Sequence, residues 1–223
     1  MKLTINIPET LNEVTLKQYQ KWLKIADGKE LDSFLQQKMV EIFCNIPLKN
    51  VLQIKATDIN NICQELSKLF NTEPKFIDRF TMNNKEFGFI PKLDDISFGE
   101  YVDLDTYLAD WELMNKAIGV LFRPITYKKK KQYLIEDYES ADKYDMTETT
   151  LDVVFGSLVF FYSLKNELQK TILNYLATQK EIELPQHLQD SLQNGAGINL
   201  STDLLMETFS NTMKLPNQNS TPV

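Results

Sequence analysis

Apolar residues recur every three or four positions through most of this chain, the spacing that gives a helix one hydrophobic face. Leu16, Tyr19, Trp22, Leu23 and Ile25 make the first such run, with Thr15 as its N-cap and Asp27-Gly28 as its stop. Leu31, Phe34, Leu35, Met39, Ile42 and Phe43 make the second, closed by Pro47. Thr57-Asp58 is placed to cap a third, through Ile59, Ile62, Cys63, Leu66, Leu69 and Phe70. A short helix from Pro74 to Phe80 would complete a helical subdomain over about residues 12–80.

Elsewhere the period is two. Leu3, Ile5 and Ile7 alternate, predicting a short N-terminal strand over Lys2 to Ile7 that Pro8 ends. Glu86 to Pro91 is too short and too aromatic for a helix and predicts a strand near 86–90. Ile125 and Tyr127, then Tyr133 and Ile135, alternate on either side of Lys128-Lys129-Lys130-Lys131. That pattern predicts a hairpin over 124–136 with a solvated lysine tip. Between these strands, Ser97-x-x-Glu100 is a capping box, in which each side chain satisfies an orphan backbone N–H. It opens a helix through Tyr101, Leu104 and Leu108. Trp111, Met114, Ile118, Leu121 and Phe122 continue the apolar face, as one kinked helix or as two, and Gly119 permits close packing. Glu136 to Asp152 is acidic with one lysine and predicts a loop.

Leu151 to Leu176 is the longest helical run and is apolar on nearly every side between Val153 and Tyr162, which predicts a central helix. Gln179 to Gln193 is polar and amphipathic, Asn194-Gly195-Ala196-Gly197 is a linker, and Leu200 to Leu215 forms a last helical pattern. The expected fold is mainly α with a small β component, in a helical-bundle architecture. Its expected parts are an N-terminal helical subdomain (1–82), a central helical region with the hairpin (83–178), a helical appendage (179–215) and a disordered tail (216–223).

The chain has 223 residues, 43% hydrophobic and 25% charged, enough to bury a core without metal or disulfide staples. Net charge is −7, which disfavours general binding to a phosphate backbone and suits partners with basic faces. The N-terminus lacks a charged-then-apolar leader pattern, and the run from Val153 to Leu164 is too short to span a bilayer. Cys44 and Cys63 sit in helical patterns and are expected as buried thiols in a reducing compartment.

Chemistry is sparse. Asp94, Asp95, Glu100, Asp103, Asp105, Asp110 and Glu112 form a dense acidic run. A divalent-metal site is one reading, because hard cations take carboxylate oxygens, but the spacing matches no calcium loop. The others are acids favouring a helix N-terminus, or an acidic docking face. His187 is the only histidine and lies in a polar segment, which removes most acid–base designs near neutral pH. The linker at 194–197 lacks the Lys-Ser/Thr of a phosphate loop. Lys128 to Lys131, with Arg123, Tyr127 and Tyr133 nearby, is the one basic patch. It reads as an edge-protecting turn or a contact to an acidic protein surface before it reads as a single-strand binder. Leu204, Leu205, Phe209 and Met213 could pack on the chain itself or enter a partner's groove. No catalytic, cofactor or metal residue is therefore assigned. The expected partner-binding residues are Asp103, Asp105, Lys128, Lys129, Lys130, Lys131, Leu204, Leu205 and Phe209.

The segments 86–91, 97–105 and 111–125, the 151–168 helix with Gly156 and Phe160-Phe161-Tyr162, and Asn194 to Ile198 before a final helix share a pattern. Over about residues 15–210 it resembles a family of small proteins encoded by tailed bacteriophages among genes for virion structure and assembly. This chain departs from that pattern in two places: four lysines stand where a turn glycine is expected, and the acidic loop before Leu151 lacks a proline. The resemblance implies a non-enzymatic assembly protein in the infected bacterium's cytoplasm, binding other phage structural proteins or further copies of itself. A tail assembly chaperone is the first version; a head–tail connector or ring protein that stays in the virion is the second. A metal-dependent nucleic-acid enzyme using the 94–112 cluster is the alternative of another class.

Overall fold

A computed structural model of the chain describes residues 5–93, 96–130 and 132–163. Helices α1 (Leu16–Ala26), α2 (Ser33–Phe43), α3 (Leu48–Val51) and α4 (Ala56–Phe70) come first. Strands β1 (Arg79–Met82) and β2 (Lys85–Phe89) follow, then α5 (Phe98–Tyr107) and α6 (Met114–Leu121). Strands β3 (Phe122–Lys129) and β4 (Gln132–Ile135) precede the helix over residues 151–163, α7.

The four strands form one antiparallel sheet in the order β1-β2-β3-β4. β1 and β2 are a tight hairpin whose turn residues, Asn83 and Asn84, have φ of 50° and 60°, the left-handed pair that a two-residue turn requires. β2 then pairs with β3 across the whole α5–α6 insertion, Phe87 opposite Pro124 and Phe89 opposite Phe122. Helix makes up about 51% of the described residues and strand about 15%, so the helical majority holds. The bundle architecture does not: the molecule is mixed α/β, with α1–α4 and α7 packed beside a sheet. Helical periodicity is local, whereas the β2–β3 pairing joins residues more than thirty apart and leaves no local mark.

Three smaller expectations are also corrected. Residues 5–9 are not a strand; Ile5 and Ile7 lean on the core from outside without a partner strand. Pro74 to Phe80 is not helical: residues 73–77 are irregular and β1 begins at Arg79, because Phe80 stacks on Phe87 across the sheet. α4 starts one turn earlier than expected, with Lys55 at its N-cap and Asp58 inside the first turn, where its charge suits the dipole.

One hydrophobic cluster runs from Leu11 to Tyr162, and the boundary expected at 82/83 falls in the turn between β1 and β2. Tyr19 is its hub: the ring, fully buried, meets Phe70 of α4, Trp111 before α6 and Phe155 of α7. Backbone bonds tie the same regions together, Leu16 N–H to the Thr149 carbonyl (2.8 Å) and Leu151 N–H to the Val14 carbonyl (2.9 Å). α7 is buried on all sides from Val153 to Leu158, as its all-round hydrophobicity predicts. Gly156 is needed there, since any Cβ would strike the Lys75 carbonyl. Gly119 of α6 is likewise pressed against the Ala141 backbone.

Candidate protein-binding surfaces

The acidic run of α5 is drawn inward. Ser97 and Glu100 form the expected capping box, with the Ser97 N–H donating to Glu100 Oε2 at 2.7 Å. That places Glu100 on the buried side, where its other oxygen takes Arg123 Nη1 from the start of β3. The two side chains are only 7% and 11% exposed. Burial pushes the Glu100 carboxyl upward, but the Ser97 hydroxyl and N–H and the Arg123 guanidinium outweigh it and hold it below the usual range. Arg123 therefore does not join the basic patch. Its guanidinium stands 5.6 Å over the Tyr138 ring, and the Tyr138 hydroxyl donates to Asp103. Burial, that bond and the Asp103 charge all raise Tyr138 above its ordinary value.

The remaining acids diverge. Asp105 is half-buried, with one carboxylate oxygen lacking a hydrogen-bond partner. Asp110 accepts the Glu112 N–H at 2.8 Å, and Glu112 reaches Lys24 at 3.3 Å. Asp94 and Asp95 lie outside the described residues. Among the described residues no three His, Cys, Asp or Glu side chains converge on a metal position.

With its acids turned in, α5 shows an apolar outer face. Phe98, Tyr101 and Val102, at positions i, i+3 and i+4, are all exposed, Phe98 by 82%. The sequence signal was a second apolar stripe on the helix, offset by two residues from the Leu104–Leu108 stripe that enters the core. Beside it a slot of about 20 Å³ lies between Tyr101, Leu104, Asp105, Phe161 and Tyr162, room for one water and no larger ligand. A wider open cleft, about 810 Å³, runs past Thr15, Lys17, Lys21, Glu41, Cys44 and Glu148. Burial pushes the Cys44 thiol up to about 11, so it is a poor nucleophile; Cys63, buried with Cys44's influence added, rises to about 12.

The hairpin behaves oppositely. Beyond Ile125 the two strands run on as a two-stranded arm, exposed on the β3 side from Thr126 to Lys130 and held to β2 through Lys128 and Tyr133. The arm is held to the body close to its tip: the ring of Tyr133, the partner of Lys128, covers Gly88, and its hydroxyl donates to the Phe89 carbonyl at 2.9 Å. Burial and the Asp78 charge, with Arg79 opposing, push that phenol up to about 12. One pair nearer the root, Tyr127 and Leu134 are direct cross-strand partners and are 56% and 60% exposed. Lys128 pairs with Glu86 of β2 at 2.7 Å, while Lys129 and Lys130 have no ion pair among the described residues. Lys131 lies outside them, as do His187, the 194–197 linker, Leu204, Leu205 and Phe209.

No family model, no curated protein and no solved structure matches this chain. No helix among the described residues is long and apolar enough to cross a membrane.

Proposed function

We propose that this protein is a non-enzymatic assembly protein of a tailed bacteriophage, a tail assembly chaperone that holds an apolar segment of another virion protein on the outer face of α5. The supporting observation is the Phe98-Tyr101-Val102 stripe: three large apolar side chains in water, on a helix whose acids are turned away from them. Such a face matches a partner's amphipathic segment. The resemblance over about residues 15–210 to tailed-phage proteins supplies the setting.

Co-expression with the tail proteins of the same phage tests it. The wild type keeps its client soluble and co-purifies with it, and a Phe98→Asp/Val102→Asp variant loses the client while keeping its own fold by circular dichroism. Finished particles are expected to lack the protein. Client binding indifferent to both substitutions sinks this reading. A fixed copy number in purified particles favours the second version, a connector or ring component, for which the projecting basic arm speaks.

A further inference from the structure

We propose that the β3–β4 arm of one molecule docks against the acidic corner at the start of the 136–150 loop of a second copy, head to tail. The contact uses neither α5 nor its apolar stripe, so it stands or falls apart from the chaperone reading.

Three features of the arm point to an occupant. Its Tyr127–Leu134 pair is an exposed apolar spot, beside the Lys128–Tyr133 pair that holds the ribbon to β2. Lys129 and Lys130 are exposed and have no ion pair among the described residues, although Lys128 beside them has one. Lys130 also sits at φ 56°, a left-handed position that a side chain with a Cβ resists. The other hairpin of the same sheet meets this demand with Asn83 and Asn84, residues that tolerate it. A lysine kept at a strained turn position is explained if its charge has a partner.

The complementary surface follows β4 directly. Glu136, Asp137, Glu139, Asp142, Asp145 and Glu148 stand against one base in the loop, Lys143. Lys143 is shared between Glu136 (3.1 Å) and Glu139 (2.8 Å), Lys116 takes Asp142 and Lys17 takes Glu148. Lys85, over the Tyr144 ring at 4.6 Å, adds its charge near Glu136. Six carboxylates thus meet four lysines, and Asp137 is exposed with no ion pair among the described residues.

The arm cannot satisfy this corner within its own molecule. The cross-strand ladder runs from Ile125 and Ile135 to Lys129 and Gln132, about 13 Å at about 3.3 Å per residue, and holds the tip away from Glu136. Across that span salt screens the attraction, the Debye length being about 8 Å at physiological ionic strength. A second copy brings tip and corner together, with Tyr127 and Leu134 as the apolar anchor and the charges setting orientation. Because the two patches differ, the interface is heterologous and propagates to a ring or an open chain.

Sedimentation velocity on the full chain tests it at about 0.05 M and about 0.5 M salt. The expected mass exceeds the 25.9 kDa of the monomer, rises with concentration at low salt, and falls to that value at high salt. Lys129→Glu/Lys130→Glu and Asp137→Lys/Glu139→Lys are each expected to be monomeric at low salt, their patches now repelling. An equimolar mixture of the two associates again, since each arm then faces a corner of opposite charge. All four residues are exposed, so circular dichroism should report an unchanged fold for both variants. A wild type monomeric at every concentration, association untouched by either variant, or a mixture that stays monomeric would each overturn the proposal. So would a monomer that binds single-stranded DNA through these lysines.

Discussion

Strand β3 joins two regions that handle charge in opposite ways. At its root, Arg123 turns inward to the buried Glu100 and lies over Tyr138. At its tip, Lys129 and the turn residue Lys130 stand in water without an ion pair among the described residues. The difference follows from what each end packs against. The root is opposed by β2 and lidded by the N-terminus of α5, so a charge there must be paired or pushed out. The tip has only β4 beside it, and a lysine there retains its hydration at little cost. Buried charge at the root fixes how α5 meets the sheet. Solvated charge at the tip remains available to another molecule.

The largest effect comes from breaking the root. Glu100→Ala leaves the Arg123 guanidinium buried without its carboxylate, and should cost about 3–5 kcal/mol of stability in urea unfolding. Replacing both residues with apolar ones of similar volume recovers most of that loss, because the desolvation of two charges disappears with them. The pH profile carries the same signature. Glu100 titrates lower when folded than when unfolded, so its contribution is complete above the unfolded value of about 4.3. It fades as pH falls through the folded value, and Glu100→Ala should flatten the stability curve in that acid window.

A second break separates arm from body. Gly88 lies beneath Tyr133, and a Cβ there would come within 2.5 Å of the ring. Gly88→Ala should lower stability by about 1–3 kcal/mol, through the displaced ring and its bond to the Phe89 carbonyl. Hydrogen exchange should quicken at the β4 amides and leave α1–α4 as before. Equal loss of protection in α1–α4 would mean that the arm is not a separable region.

These two sites also show why some of the molecule was legible in its sequence and some was not. The N-cap at Thr15, the capping box at Ser97, the stop at Asp27-Gly28, the lysine-tipped hairpin and the central helix from Leu151 are written in adjacent residues or in a single period. Their physics is local, so composition and spacing suffice. The β2–β3 pairing is not local, and without it β1 reads as a short helix and Arg123 as part of the basic patch. The acidic run read as one cluster for the same reason. Its members are adjacent in sequence, but a helix turns successive residues by about 100°, sending Glu100 inward, and Asp110 lies past the end of α5, where it caps the turn at Trp111.

A smaller effect, of opposite sign, tests the tip. Lys130→Gly removes a left-handed side chain and should raise stability by up to about 1 kcal/mol in thermal melts, the added freedom of the unfolded glycine taking back part of the gain. If the arm's charge serves a second copy, the same substitution weakens self-association while it stabilises the monomer. Stability gained with association unchanged would remove Lys130 from that interface.

The smallest effect on stability is expected on the outer face of α5. Phe98 is 82% exposed, so Phe98→Ser removes little packing and should shift stability by less than about 0.5 kcal/mol in urea unfolding. Glu100, two residues along the same helix, is expected to differ from it about tenfold in effect because a two-residue step turns it to the buried side. A loss above about 1 kcal/mol at Phe98 would show that the ring is packed in solution, and α5 would then have no free apolar face to offer a client. A near-silent Phe98→Ser that nonetheless fails to hold the client would place binding on the one side of α5 that folding does not use.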